Sequence, residues 1–315
     1  MEPARRRHLL GEGDTDHTLS LAVRDGVLAR IRHGSYAGAD EWDGARTVPR
    51  LVALARSAAD AAKKPPVFSH VTAAALHGLP LFDCRETRTH VLSTARGRTS
   101  GSGPVIRHRD QWDGRHVRIG DLLVTSLART VFDIARTAPP TTAIGCADAA
   151  LRRAAAIRGT RELDHDAAER LREEIRDLID EHRGAPGVHQ ARSIVGFADP
   201  RAESVGESVS RLHLRDLGFR DIALQVPVAL PGGGRAVVDL EVDGVLCEFD
   251  GFQKYLDRAM RGERTAAQVI EDEKRREDRI RAATDQRLVR WTMKDISSRQ
   301  TFAAVLRGYG LLPGG

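Results

Sequence analysis

Asp239, Glu248 and Asp250 lie in the stretch RAVVDLEVDGVLCEFDG, where two β-rich runs are separated by Asp243-Gly244. An Asp-Gly pair between such runs is one of the strongest short signals for a two-residue hairpin turn. With residues 243 and 244 as the loop, Val242 faces Val245 and Asp239 falls directly across from Glu248. β-Carbons of such a pair stand about 4.5–5.5 Å apart. Strand alternation then predicts Asp239, Glu248 and Asp250 on one face, with Glu241 nearer the turn. Like charges opposed in a ladder repel, and partial burial raises that cost, so the arrangement calls for a cation. Mg²⁺ (or Mn²⁺) prefers hard oxygen ligands, and Asp239 and Glu248 on adjacent strands would be a minimal site for it. Such an ion would activate water and stabilise charge building on a phosphorus during hydrolysis. Lys254, one of only five lysines in the chain, would add a point charge nearby. Plain ion pairs with Arg235, Lys274 or Arg275 are the alternative use of the same acids, and these three cations are also expected nucleic-acid contacts.

These acids need a scaffold, and the pattern around them supplies one. Residues 202–217 predict a helix and 222–228, 235–242 and 245–250 three strands. A long charged helix over 265–283, a strand over 287–292 and a helix over 299–307 complete a compact α/β domain. On a helical wheel Glu207 lies opposite Val205, Val209 and Leu212 but shares a side with Leu214, which gives that helix two apolar sides.

At these residues the sequence resembles a known group. The region of about 201–310 looks like the nuclease-like domain related to very-short-patch-repair (Vsr) endonucleases of the PD-(D/E)XK superfamily. The matching residues are Glu207 in ESVGESVSRLHLRDLG, Asp239 in VVDLEV, Glu248 and Asp250 in CEFDG and Lys254 in FQKY, followed by EKRREDRIRA leading into RLVRWT. The resemblance implies Asp239 and Glu248 as metal ligands, Glu207 as the acid from the preceding helix, and Lys254 as a charge stabiliser. The superfamily pattern has lysine two residues after the second acid, where this chain has Asp250. The N-terminal two thirds look like the antitoxin of type IV toxin–antitoxin systems (AbiEi-like), with GVLARIRHGSYA as its wing and SHVTAAALHGLP through VTSLARTVFDIAR as the following domain. That likeness implies DNA and a cognate toxin as partners.

The residues of the N-terminal part carry their own argument. TLSLAVRDGVLARIRHGSYA, residues 18–37, predicts helix, strand, turn and strand, with Val27, Ala29 and Ile31 pointing inward and Gly34 at the turn. Arg30, Arg32 and His33 would project from the strand and its tip, as on the wing of a winged-helix DNA-binding domain. An Ala-rich helix from Val48 stops at Lys63-Lys64-Pro65-Pro66, and Ser69 is placed to cap the next one. His70 and His77, seven apart, would share a helix face, and with no further ligand at metal spacing they are expected to be structural. Residues 85–118 predict short strands rich in arginine, Arg107 and Arg109 among them, a surface suited to a nucleic-acid backbone. Helices follow over 125–137, 141–156 and 166–183.

Composition bounds the rest. The chain has 315 residues, is 41% hydrophobic and 30% charged, and carries a formal net charge of +5. It can bury a sizeable core. Only five of its 49 basic residues are lysine, so arginine dominates, and guanidinium groups bind phosphate bidentately. Cys84, Cys146 and Cys247 are isolated, which excludes a CxxC zinc site and a disulfide framework. No run is long and apolar enough for a membrane span, and the start has no secretory apolar core, so no membrane partner and a cytoplasmic location are expected. The expected fold is α+β multidomain: a winged-helix-like segment over 1–47, an α/β middle domain over 48–198, and a PD-(D/E)XK restriction-endonuclease-like α/β domain over 199–315. Two functions are expected from this: a DNA-binding protein whose metal-dependent endonuclease-like domain hydrolyses phosphodiesters, or a non-catalytic DNA-binding regulator of antitoxin type.

Overall fold

The computed structural model describes residues 1–6, 9, 15–93, 103–110, 114–251, 266–284 and 286–313; within 266–274 only the side chains of Gln268 and Glu271 are described. Two compact units emerge. The first comprises Met1–Ala154 and Asp164–Ala198, the second Ala155–Leu163 and Asp199–Gly315.

The first unit holds two sheets. The smaller has order β1-β3-β2, from β1 (Ala4–Arg5), β2 (Leu28–Arg32) and β3 (Ser35–Gly38), beside the helices α1 (Asp16–Arg24) and α2 (Ala39–Asp43). Residues Ala29 and Arg30 pair with Ala37 and Tyr36, but Arg32 pairs with Ser35, so a bulge falls between Arg30 and Arg32. Val27, expected inside, is 64% exposed, because it precedes the first paired residue of β2. The larger sheet has order β6-β5-β4-β8-β7, from β4 (Val67–Phe68), β5 (Thr89–Leu92), β6 (Val105–His108), β7 (Val117–Ile119) and β8 (Leu122–Val124). Helix α3 (Thr47–Ala61) buries Ala55 and Ala58 against Phe68, Val91 and Val105 of that sheet. It is followed by α4 (His70–Leu76), α5 (Leu127–Thr137), α6 (Pro140–Ala155), α7 (His165–Glu181) and α8 (Val188–Phe197). In α5 the Ser126 hydroxyl accepts the Arg129 N–H, the local bond that starts a helix.

The second unit is one sheet between helices, order β12-β11-β10-β9, from β9 (Ile222–Ala229), β10 (Arg235–Val242), β11 (Val245–Asp250) and β12 (Leu288–Thr292). The hairpin turn forms where Asp243-Gly244 predicts it: both residues are left-handed, at φ 47° and 79°, and Val242 pairs with Val245. Antiparallel β11 follows β10, and β12 returns parallel to β11 after the helix α10 (Ala266–Thr284). Ile280 of α10 packs with Ala236, Val238, Leu246 and Leu288 on one face of the sheet. By strand alternation Phe249 lies on the other face, against α9 (Val205–Leu217), where the Gly206 position leaves room for its ring. The Trp291 indole N–H donates to Ser210 Oγ of α9 at 2.8 Å, and the Trp291 ring meets Phe302 of α11 (Arg299–Gly308) edge-on.

Candidate functional site

The expected carboxylate face is rearranged at one residue. Ladder pairs between β10 and β11 run Val242↔Val245, Glu241↔Leu246 and Leu240↔Cys247, as the turn requires. Val238, however, packs in the cluster that holds Leu246, whereas Leu240 is paired with Cys247, which alternation places opposite Leu246. The alternation therefore shifts at Asp239. On the other side of β10 the pairs Val238↔Val226 and Leu240↔Leu224 flank Gln225, which takes a left-handed φ of 54°. Asp239 thus does not stand as the mirror partner of Glu248; its Oδ2 accepts the Phe249 N–H at 2.9 Å.

Glu248 is 6% exposed and already has its cations. Arg276 Nη1 meets Oε1 at 2.5 Å, and Arg290 donates to Oε2 from Nε at 3.0 Å and Nη2 at 2.7 Å. Arg276 also donates to the Val237 carbonyl at 2.7 Å, which ties α10 to β10. The repulsion that was expected to call for a metal is answered by two guanidinium groups, neither of them Arg235, Lys274 or Arg275. Both Glu248 oxygens being engaged, Asp239 and Glu248 as placed do not fit a shared Mg²⁺.

Glu207 is buried, at 4% exposure, and lies close enough to Asp239 to feel its charge. Its carboxylate accepts Ser204 Oγ–H at 2.8 Å, Glu203 N–H at 2.9 Å and Gln225 Nε2–H at 3.1 Å. Ser204 in turn accepts the Glu207 N–H, so the acid also serves the N-terminal cap of α9. Burial first and the Asp239 charge second push the Glu207 pKa up to about 7. Asp250, half-buried, pairs with Thr292 in the parallel ladder. Lys254 lies outside the described residues, as does the side chain of Lys274. Arg235 is exposed at the start of β10, and exposed Arg275 pairs with Glu271 at 2.7 Å.

In the first unit two of the expected nucleic-acid contacts meet. Arg32 and Arg107 line one groove of about 670 Å³ together with Lys63 and Lys64, over a floor that includes Val67 and Val91. Arg32 is half-buried, and its Nη1 has no hydrogen-bond partner among the described residues. Burial and then the nearby Arg107 charge hold its pKa below the usual arginine value. The β2 bulge explains why Arg30 has a different environment: it is exposed and its Nη2 lies 2.7 Å from His33 Nδ1. Arg109 is exposed just past β6.

Histidines outside the expected set also converge. His70, His90 and His108 place ligand atoms within 4.8 Å of one another and could hold a metal ion, the one such group among the described residues. His70 opens α4 and His77 caps its C-terminal end, with its Nε2 2.8 Å from the Thr125 carbonyl. The expectation that nothing joins His70 is corrected by β5 and β6, which carry His90 and His108 to it. The one signal in the sequence was a histidine in each of two short strand runs, THVL and VIRH.

Fold and site define a mixed α/β protein of two compact units, in which no described helix is long and apolar enough to cross a membrane. No family model matches the sequence. The chain is 33% identical over 226 residues to the uncharacterized protein Rv2248 of Mycobacterium tuberculosis (strain ATCC 25618 / H37Rv), across 71% of this chain and 73% of that protein. The same figures hold for the uncharacterized protein MT2308 of strain CDC 1551 / Oshkosh. This chain belongs to the family of these mycobacterial proteins.

Proposed function

We propose that the protein is a non-catalytic DNA-binding regulator of antitoxin type, whose first unit grips the phosphate backbone. One observation carries this: Arg32, half-buried with a nitrogen that has no hydrogen-bond partner among the described residues, sits beside Arg107 in a groove that also gathers Lys63 and Lys64. Two guanidinium groups held together without an intervening acid repel each other, and a phosphate between them relieves that repulsion while satisfying the open donor. The helix α1 and the hairpin β2–β3 support a winged-helix reading of residues 1–47, with Arg30 and His33 near the hairpin tip as further backbone contacts. Fluorescence anisotropy with a labelled duplex tests the proposal. Arg32→Ala combined with Arg107→Ala weakens binding at low salt by 10-fold or more, and unchanged affinity refutes it.

The competing reading is Mg²⁺- or Mn²⁺-dependent phosphodiester hydrolysis by a PD-(D/E)XK-like second unit. The Asp239 charge felt by buried Glu207 favours it, since two neighbouring acids suit a cation. The double arginine grip on Glu248 and the presence of Asp250 in the lysine position oppose it. A plasmid-nicking assay with either metal decides between them. Cleavage lost in Asp239→Ala and Glu248→Ala would establish the nuclease, and no cleavage by wild type leaves the regulator.

A further inference from the structure

We propose that His70, His90 and His108 of the first unit form a binding site for a borderline transition-metal cation of the Zn²⁺ class. The three imidazoles come from separate elements: His70 opens α4, His90 is the second residue of β5, and His108 ends β6. Because β5 and β6 are parallel, with Leu92 paired to His108 and His90 to Ile106, the two strand histidines sit one step apart on the sheet. His90 Nδ1 and His108 Nε2 are 2.9 Å apart, and the His70 ring stacks on His108 with centroids 3.5 Å apart. Two nitrogens bound to one tetrahedral Zn²⁺ at ~2.0–2.1 Å stand about 3.3 Å apart. The His90–His108 pair needs to open by only a few tenths of an ångström, whereas the His70 ring, which lies nearly parallel to that of His108, must turn for its in-plane lone pair to meet the same ion.

The surroundings match what a metal-bound histidine requires on its outer nitrogen. A ligating imidazole usually gives its second nitrogen to a carboxylate, hydroxyl or carbonyl, which fixes the ring. His90 Nε2 lies 3.2 Å from Glu86 Oε2, a charge contact without hydrogen-bond geometry, and His70 Nδ1 lies 3.0 Å from Ser69 Oγ, with Asp133 Oδ2 at 3.6 Å. That leaves His90 Nδ1, His108 Nε2 and His70 Nε2 for an ion. Asp133 of α5 is fully buried; its Oδ1 pairs with Arg129 at 2.9 Å and with Arg136 at 3.9 Å, while its Oδ2, with no hydrogen-bond partner among the described residues, faces His70. His70 is held at φ 52°, a left-handed conformation that a non-glycine residue adopts at a cost, which points to a constrained role for its ring. Imidazole donors select Zn²⁺, Cu²⁺ or Ni²⁺ over Mg²⁺ and Ca²⁺. This site is therefore chemically distinct from the carboxylates of the second unit.

The test uses the full chain, stripped with a chelator and titrated with Co²⁺ and then Zn²⁺. One Co²⁺ per chain should bind with the intense visible bands of a low-symmetry nitrogen site, and Zn²⁺ should displace it. His90→Ala should abolish the bands, while Glu86→Gln, which leaves all three rings in place, should weaken Zn²⁺ binding roughly 10–100-fold. His116→Ala, an exposed histidine away from the cluster, serves as the control and should bind as wild type. Absence of stoichiometric Co²⁺ and Zn²⁺ binding by the wild-type chain overturns the proposal, as does unaltered binding by a folded His90→Ala variant.

Discussion

Glu248 and Arg290 are direct partners in the parallel ladder of β11 and β12, and Arg290 Nη2 lies 2.7 Å from the Glu248 carboxylate. Arg276 completes the pair from α10, so a single acid joins two strands and a helix. In a sheet whose other face is filled by Phe249 and Trp291, this carboxylate is an internal fastening.

Removing that acid leaves two cations facing each other over a mostly buried spot. Glu248→Ala is expected to destabilise the second unit by roughly 2–3 kcal/mol, below the ~3–5 kcal/mol of a fully buried pair because the arginines stay partly solvated. Urea unfolding of the full chain, followed by Trp291 fluorescence, measures it. A loss under about 0.5 kcal/mol would place the pair among ordinary surface bridges.

Glu207 makes the stability of the second unit depend on pH. Its folded pKa of about 7 stands above the ordinary 4.5, so the folded chain holds the proton that the unfolded chain has released. Stability therefore falls as pH rises from 4.5 to 7, by up to about 3 kcal/mol, and levels off above. Glu207→Gln should flatten that dependence and leave the variant more stable than wild type at pH 8. Parallel pH profiles of the two chains would disprove this.

Gly206 answers to Phe249. A Cβ at 206 would overlap the ring carbons Cε1 and Cζ, so Gly206→Ala is expected to cost about 1–3 kcal/mol through overpacking. Phe249→Leu should recover part of that loss in the double variant. Additive losses in a double-mutant cycle would show that the ring has room to move aside.

Phosphate contacts by Arg32 and Arg107 should also appear in the salt response. Each lost contact lowers the slope of log K against log salt by about 0.9. The single variants should each flatten the slope by that amount, and the double variant by about twice as much. Slopes equal to that of the wild type would move the nucleic-acid surface away from this groove.

The hairpin was legible because Asp243-Gly244 fixes both the turn and the pairing that follows from it, and the helices and strands around it announce themselves by period. The shift at Asp239 was not legible, since it coincides with a left-handed Gln225 on the neighbouring strand, which no local pattern announces. The guards of Glu248 lie 28 and 42 residues away in sequence, and only the return of β12 beside β11 brings the farther one in. Arg32 and Arg107 were named separately as basic residues, but their meeting depends on the bulge in β2 and on the packing of the first unit. His70, His90 and His108 have no spacing that reads as a ligand motif, because parallel strands and a helix start supply them.

Where α9 comes down onto the sheet, the gap between the layers is set by a missing methyl group. Positions 206 and 249 therefore share a fixed volume, and related chains should change them in concert: a side chain gained at the first should travel with a smaller one at the second. An alignment of the family would show this as paired exchange, with bulky residues at both places in the same chain excluded.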